Sequence, residues 1–250
     1  MVAMDLRGHG LSDSPTEGYD PPGFAEDVVA VAEGSGLIEA DADRVVLAGH
    51  GFGGIVAVWA AEALGARCAA VVLVDGGWEA MERSTGVDVD EFLRGIDEPP
   101  EVMRSMTAFL SDRAAFDPPT WDADQERAAR ASVVETHAGR VVPATRPHAL
   151  EACVRAMFGY EPLSVLPVIE APIVAIVAAD DEVRTRRRAL ETVSVARVAA
   201  GRSAIHVTGT GHDGHNLMRY RPDEVAAAIL SVTGTEAEAR GSGPASGRGS

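Results

Sequence analysis

Apolar residues along this chain fall into two rhythms. Short unbroken runs occupy residues 45–48 (Val-Val-Leu-Ala), 69–74 and 173–177, with a further one near 204–207. Between them lie stretches whose apolar positions recur at helical spacing. Residues 22–36 carry Phe24, Val28, Val31 and Ala32 on one face and end at Gly36, and further helices are predicted over about 53–64, 184–195 and 222–232. Residues 1–5 read as one more buried strand. Short apolar strands alternating with helices predict an α/β architecture, a parallel sheet covered on both faces.

Between residues 77 and 166 the rhythm changes. Strand-like runs give out, prolines pair at Pro99-Pro100 and Pro118-Pro119, and residues 101–111, 122–137 and 148–158 carry helix-spaced apolar positions. A helical insertion is predicted here. From Thr235 the chain is rich in Gly, Ser and Ala with few large apolar residues, a composition that predicts a disordered tail.

After the run at 45–48 comes Gly49-His50-Gly51-Phe52-Gly53-Gly54, whose small residues suit a sharp, crowded strand-to-helix turn. Upstream stands Asp5-Leu6-Arg7-Gly8-His9-Gly10-Leu11-Ser12-Asp13. Downstream, one apolar run ends at Asp75 and another at Ala178-Ala179-Asp180-Asp181, and Gly209-Thr210-Gly211-His212 precedes the final helix. This set, in this order, resembles the α/β-hydrolase family, with its D-x-R-G-x-G loop, its G-x-S-x-G nucleophile elbow, and an acid and a histidine following in turn.

The resemblance implies an α/β-hydrolase fold: core over 1–76, helical cap over 77–166, core again over 167–234, and a tail over 235–250. In the family further strands precede the D-x-R-G strand, and one of them would separate it from residues 45–48. The expectation is therefore an N-terminally truncated sheet, from a fragment or a misassigned start, with exposed ladder edges prone to self-association.

Where the family carries a nucleophile, residue 51 is glycine, which has no group to attack with. The resemblance assigns Asp181 as the acid and His212 as the general base, a carboxylate orienting an imidazole. Asp180 competes with Asp181 because the register is ambiguous by one. Asp75 also ends a strand at the site, with turn capping as its first reading. His50 supports the turn, and the Phe52 N–H would serve as half of an oxyanion hole. His9 and Ser12 are expected to fix the turns of the first loop. His212 and His215 share an H-x-x-H spacing, but further ligands are lacking nearby in sequence, so no metal is expected.

The implied activity is hydrolysis of a small, largely apolar ester, lactone or related substrate, weak or water-mediated without a nucleophile. The alternatives are a catalytically silent small-molecule-binding or scaffold protein and a non-functional fragment. The 250 residues can bury one substantial core. A net charge of −16 argues against nucleic acid or an anionic membrane as partner. Two cysteines, Cys68 and Cys153, in apolar settings suggest reduced core residues. No signal-peptide pattern or bilayer-length apolar stretch is read, so a cytoplasmic protein without cofactor is expected.

Overall fold

The computed structural model describes residues 1–40, 43–96, 102–116, 118–179, 183–211 and 214–241, with side chains described as far as Thr233. In chain order the elements are α1 (Pro21–Gly34), β1 (Val45–His50), α2 (Phe52–Leu64), β2 (Cys68–Val74), α3 (Met81–Thr85), α4 (Val89–Gly95), α5 (Met106–Phe116) and α6 (Ala123–Ala131). They continue with β3 (Val133–Glu135), β4 (Val141–Pro143), α7 (Pro147–Phe158), α8 (Pro162–Val165), β5 (Ile173–Val177), α9 (Val183–Ala199), β6 (His206–Gly209), α10 (Leu217–Tyr220) and α11 (Pro222–Gly241). The chain divides into two compact units, one of Ala32–Trp78 with the chain from Pro162 onward, the other of Met1–Val31 with Glu79–Glu161.

The first unit holds a four-stranded sheet in the order β1-β2-β5-β6, every neighbouring pair parallel. All residues of β2 and β5 are buried, as expected of central strands covered on both faces. Alternate residues Val72, Val74 and Ile176 meet Leu217 and Val225, with Ala228, Ile229 and Val232 of α11 packed against them. Helix α2 is apolar nearly all round and buried over most of its length, so it forms where the sheet covers it. Behind the sheet, the wholly buried Arg197 donates to the carbonyls of Leu166, Ile169, Ala171 and Ser203, tying α9 to the segment that leads into β5. Among the described residues β1 and β6 are the sheet's edges.

In the second unit the first loop is organised by charge. Arg7 grips the Asp27 carboxylate with two hydrogen bonds, at 2.6 and 2.7 Å, and donates to the carbonyls of Gly18 and Gly23. A small core of Met103, Phe109, Ala129, Val133 and Val141 joins α5, α6 and the β3–β4 pair.

Several expectations need correction. Residues 1–5 form no strand: Met1 and Val2 are exposed, and Asp5 instead accepts the Leu11 N–H on its carboxylate and the Ser12 hydroxyl on its carbonyl. A strand needs a ladder partner, and among the described residues none lies beside it. The helix predicted over 122–137 stops at Ala131, because Val133–Glu135 and Val141–Pro143 pair antiparallel around Gly139, whose φ is 75°. Helix α11 runs to Gly241, past the Thr235 at which composition predicts a tail, through a stretch rich in the helix formers Glu and Ala. Cys68 and Cys153 are buried free thiols. No helix among the described residues is long and apolar enough to cross a membrane.

Candidate active site

Strand β1 delivers the chain to Gly51, and α2 starts at the next residue. Gly51 takes φ 54° and ψ −119°, a conformation that L side chains adopt only under strain. The turn is held by the Gly51 N–H on the Val74 carbonyl (3.1 Å) and the Gly54 N–H on the Gly51 carbonyl (3.0 Å). Its neighbours are small because the backbones touch. A Cβ on Gly49 would strike the Gly53 carbonyl, and one on Gly76 would lie 2.7 Å from the Gly51 Cα.

A Cβ on Gly51 would lie 3.0 Å from Nε2 of His215, so an imidazole stands against the apex of the elbow. On its other side His215 Nδ1 is 2.8 Å from Oδ2 of Asp75, while the His215 side chain remains 56% exposed. Asp75 follows β2, and the parallel pairing that sets His50 beside Val74 also sets Asp75 next to Gly51. Its carboxylate is fully buried. Oδ1 accepts the Ala178 N–H at 2.9 Å and Nη1 of Arg186 at 2.8 Å, and the Asp75 carbonyl accepts Nη2 of Arg186 at 3.2 Å. Asp75 is the one non-glycine among the described residues with positive φ, 47°, strain that these bonds hold in place.

Burial by itself would push the Asp75 carboxyl up, but the His215 hydrogen bond, the Ala178 N–H and the Arg186 charge together hold it below the usual carboxylate range. Arg186 in turn lies over the buried Trp78 ring, 5.3 Å from its centre. An ionised acid fixed on three sides therefore orients His215 through Nδ1 and turns Nε2 toward the elbow.

His50 completes the arrangement. Its ring lies 4.2 Å from that of His215, and its Nε2–H donates to the His215 carbonyl at 2.8 Å. Burial, reinforced by the adjacent His215, pushes His50 down to about 4, so it stays neutral and serves as a brace. Phe52 opens α2 and meets Trp59 edge-on. The helix N-terminus beneath Gly51 offers the positive end of its dipole to developing negative charge.

Of the residues singled out from sequence, Asp180, Asp181 and His212 lie outside the described residues. Gly51, His50 and Asp75 converge on one site, and His215 lies with them. His9 and Ser12 are engaged locally, His9 Nδ1 with the Arg7 carbonyl and the Ser12 hydroxyl with that of Asp5. No group of three or more His, Cys, Asp or Glu side chains among the described residues is placed to hold a metal ion.

A sequence profile of the alpha/beta hydrolase family matches residues 1–228. The chain belongs to that family. It is 30% identical over 105 residues to the AB hydrolase superfamily protein YisY of Bacillus subtilis, covering 42% of this chain and 37% of that protein. It is 37% identical over 75 residues to the 2-(acetamidomethylene)succinate hydrolase of Mesorhizobium japonicum, covering 30% of this chain and 25% of that one. The matched stretches thus span only about a third and a quarter of these curated relatives. The crystal structure of an E-2-(acetamidomethylene)succinate hydrolase superposes with a TM-score of 0.71 at 21% identity, over 92% of this chain and 79% of its own. The fold is the α/β-hydrolase fold, with a mostly parallel sheet and flanking helices.

Proposed function

We propose that this protein hydrolyses a small, largely apolar ester, lactone or related acyl compound without a side-chain nucleophile at the elbow, using Asp75 and His215 as its dyad. The observation that carries this reading is the 3.0 Å separation between His215 Nε2 and the Cβ position of Gly51. Nε2 accepts a proton from a water molecule as the oxygen attacks the acyl carbon. Asp75 stabilises the imidazolium, and the same proton then passes to the leaving oxygen. A positioned base of this kind contributes roughly 10²–10⁴-fold, well short of a full nucleophilic mechanism. The fold family and the hydrolases among its relatives support the reaction class. We place the protein in the cytoplasm with a small molecule as partner. The edge strand β1, with Ala48 exposed, also supports self-association by strand pairing.

Hydrolysis of a panel of activated esters and lactones by purified protein tests the dyad. His215→Ala is expected to abolish the rate and Asp75→Asn to reduce it strongly, with His212→Ala and Asp181→Asn as comparison variants. Loss in the second pair alone would move the dyad to Asp181 and His212. Gly51 itself favours a second reading, a silent small-molecule binder. That reading prevails if no variant changes a rate above background while ligands still raise the melting temperature.

A further inference from the structure

We propose that His215 Nε2 is itself the nucleophile toward activated acyl groups, standing in for the side chain that Gly51 lacks. This rests on the site and reaction class proposed above and replaces the water-mediated first step with direct attack by the same atom. In a serine-bearing elbow the imidazole must stop short, because a side chain lies between it and the substrate carbonyl. Here nothing projects from residue 51, and Nε2 lies 3.0 Å from the position a Cβ would take. The ring is half-exposed and so reachable by substrate. Its plane is fixed from both sides, by Asp75 on Nδ1 at 2.8 Å and by the His50 ring at 4.2 Å. Holding the reacting atom in one orientation is the condition under which an imidazole competes with water as attacking group.

The steps balance without any further reagent. The Nε2 lone pair forms a bond to the carbonyl carbon, the tetrahedral intermediate collapses, and the leaving oxygen or sulfur departs with the bonding pair and takes a proton from water. The product is an acyl-imidazolium whose Nδ1–H remains on the ionised Asp75. Water then attacks the acyl carbon, the C–N bond breaks with its electron pair returning to Nε2, and the acid leaves as carboxylate with two protons, one of which neutralises the hydroxide left when the leaving group was protonated. The buried carboxylate favours the first half, since it stabilises the positive charge that develops on the ring as the C–N bond forms.

The test uses the full chain with 4-nitrophenyl acetate, phenyl acetate and S-phenyl thioacetate, each hydrolysed in the presence of hydroxylamine. A shared acyl-enzyme requires one ratio of acetohydroxamate to acetate whatever the leaving group. Acid-quenched protein should also carry the mass of one acetyl group on the peptide containing His215, located there and not on His50. That adduct should be absent in His215→Gln. A ratio that changes with leaving group, together with no acetyl on His215 while hydrolysis still depends on His215, would overturn the nucleophilic role and leave the general-base reading standing. Absence of any His215-dependent hydrolysis would overturn both.

Discussion

Restoring a hydroxyl to the elbow tests the site where its geometry is tightest. In Gly51→Ser the backbone must keep φ 54° and ψ −119° with a Cβ attached, which costs about 1–3 kcal/mol. Removing glycine also restricts the unfolded chain, returning about 0.4–1 kcal/mol. The new Cβ would stand 3.0 Å from His215 Nε2, so the imidazole has to withdraw by a few tenths of an ångström. It can do so, being half-exposed, but only by disturbing its 2.8 Å bond to Asp75. The net expectation is a loss of about 1–2 kcal/mol, a fall in melting temperature of about 2–8 °C for a chain of this size.

Gly51→Ala carries the same backbone strain without the hydroxyl and is the control. Thermal unfolding should place both variants below the parent. Only the serine variant should react with a fluorophosphonate probe, and its labelling should disappear when His215→Ala is added. If the alanine variant melts at or above the parent, residue 51 is not under the strain that its dihedral angles imply. If serine and alanine label equally, residue 51 is not the apex, and the placement of the site against His215 fails with it.

Two further outcomes follow from the groups around the dyad. Arg186→Met leaves the fully buried Asp75 carboxylate without its cationic partner, and loss of one member of such a pair costs about 3–5 kcal/mol. Asp75 is held below the usual carboxylate range, so its stabilising share is complete above about pH 4 and fades as pH falls through the folded value. In acid unfolding curves the gap between parent and variant should therefore close toward low pH, and a constant gap would refute the charge argument. His50, pushed down to about 4 against an ordinary value near 6.5, binds its proton more readily when unfolded. Its contribution to stability should be complete above about pH 6.5 and be lost progressively toward pH 4. His50→Gln should flatten that part of the stability profile and leave the neutral-pH transition nearly unchanged.

How much of this was legible in the sequence depends on how far each feature reaches along the chain. The elbow was legible because its determinants are contiguous: an apolar strand, then small residues at positions 49, 51, 53 and 54 where the backbones crowd. The α/β alternation was legible for the same reason, and strands β1, β2 and β5 fall within two residues of their apolar runs. The β3–β4 hairpin was not, since its valines continue a helix-like spacing and only pairing across Gly139 favours the extended form. The strand expected at residues 1–5 failed in the opposite sense, because apolar residues suffice to suggest a strand but only a partner makes one.

The chemistry sits at the far end of this scale. Asp75 was readable as a strand-end residue, and a short polar side chain at positive φ reads equally well as a turn former. What distinguishes an acid from a cap is the arrival of Arg186 from α9 and the Ala178 N–H from the end of β5, contacts separated from Asp75 by over 100 residues. The place of His215 likewise turns on the path of the chain into α10, and that path is pinned by the His50 N–H on the His215 carbonyl. The family resemblance assigned the base to His212 and gave His215 no catalytic part, whereas the brace from His50 gives His215 its orientation. The proposed acid and base at this elbow are thus set in place by the residues that hold them, Arg186 on Asp75 and His50 on His215.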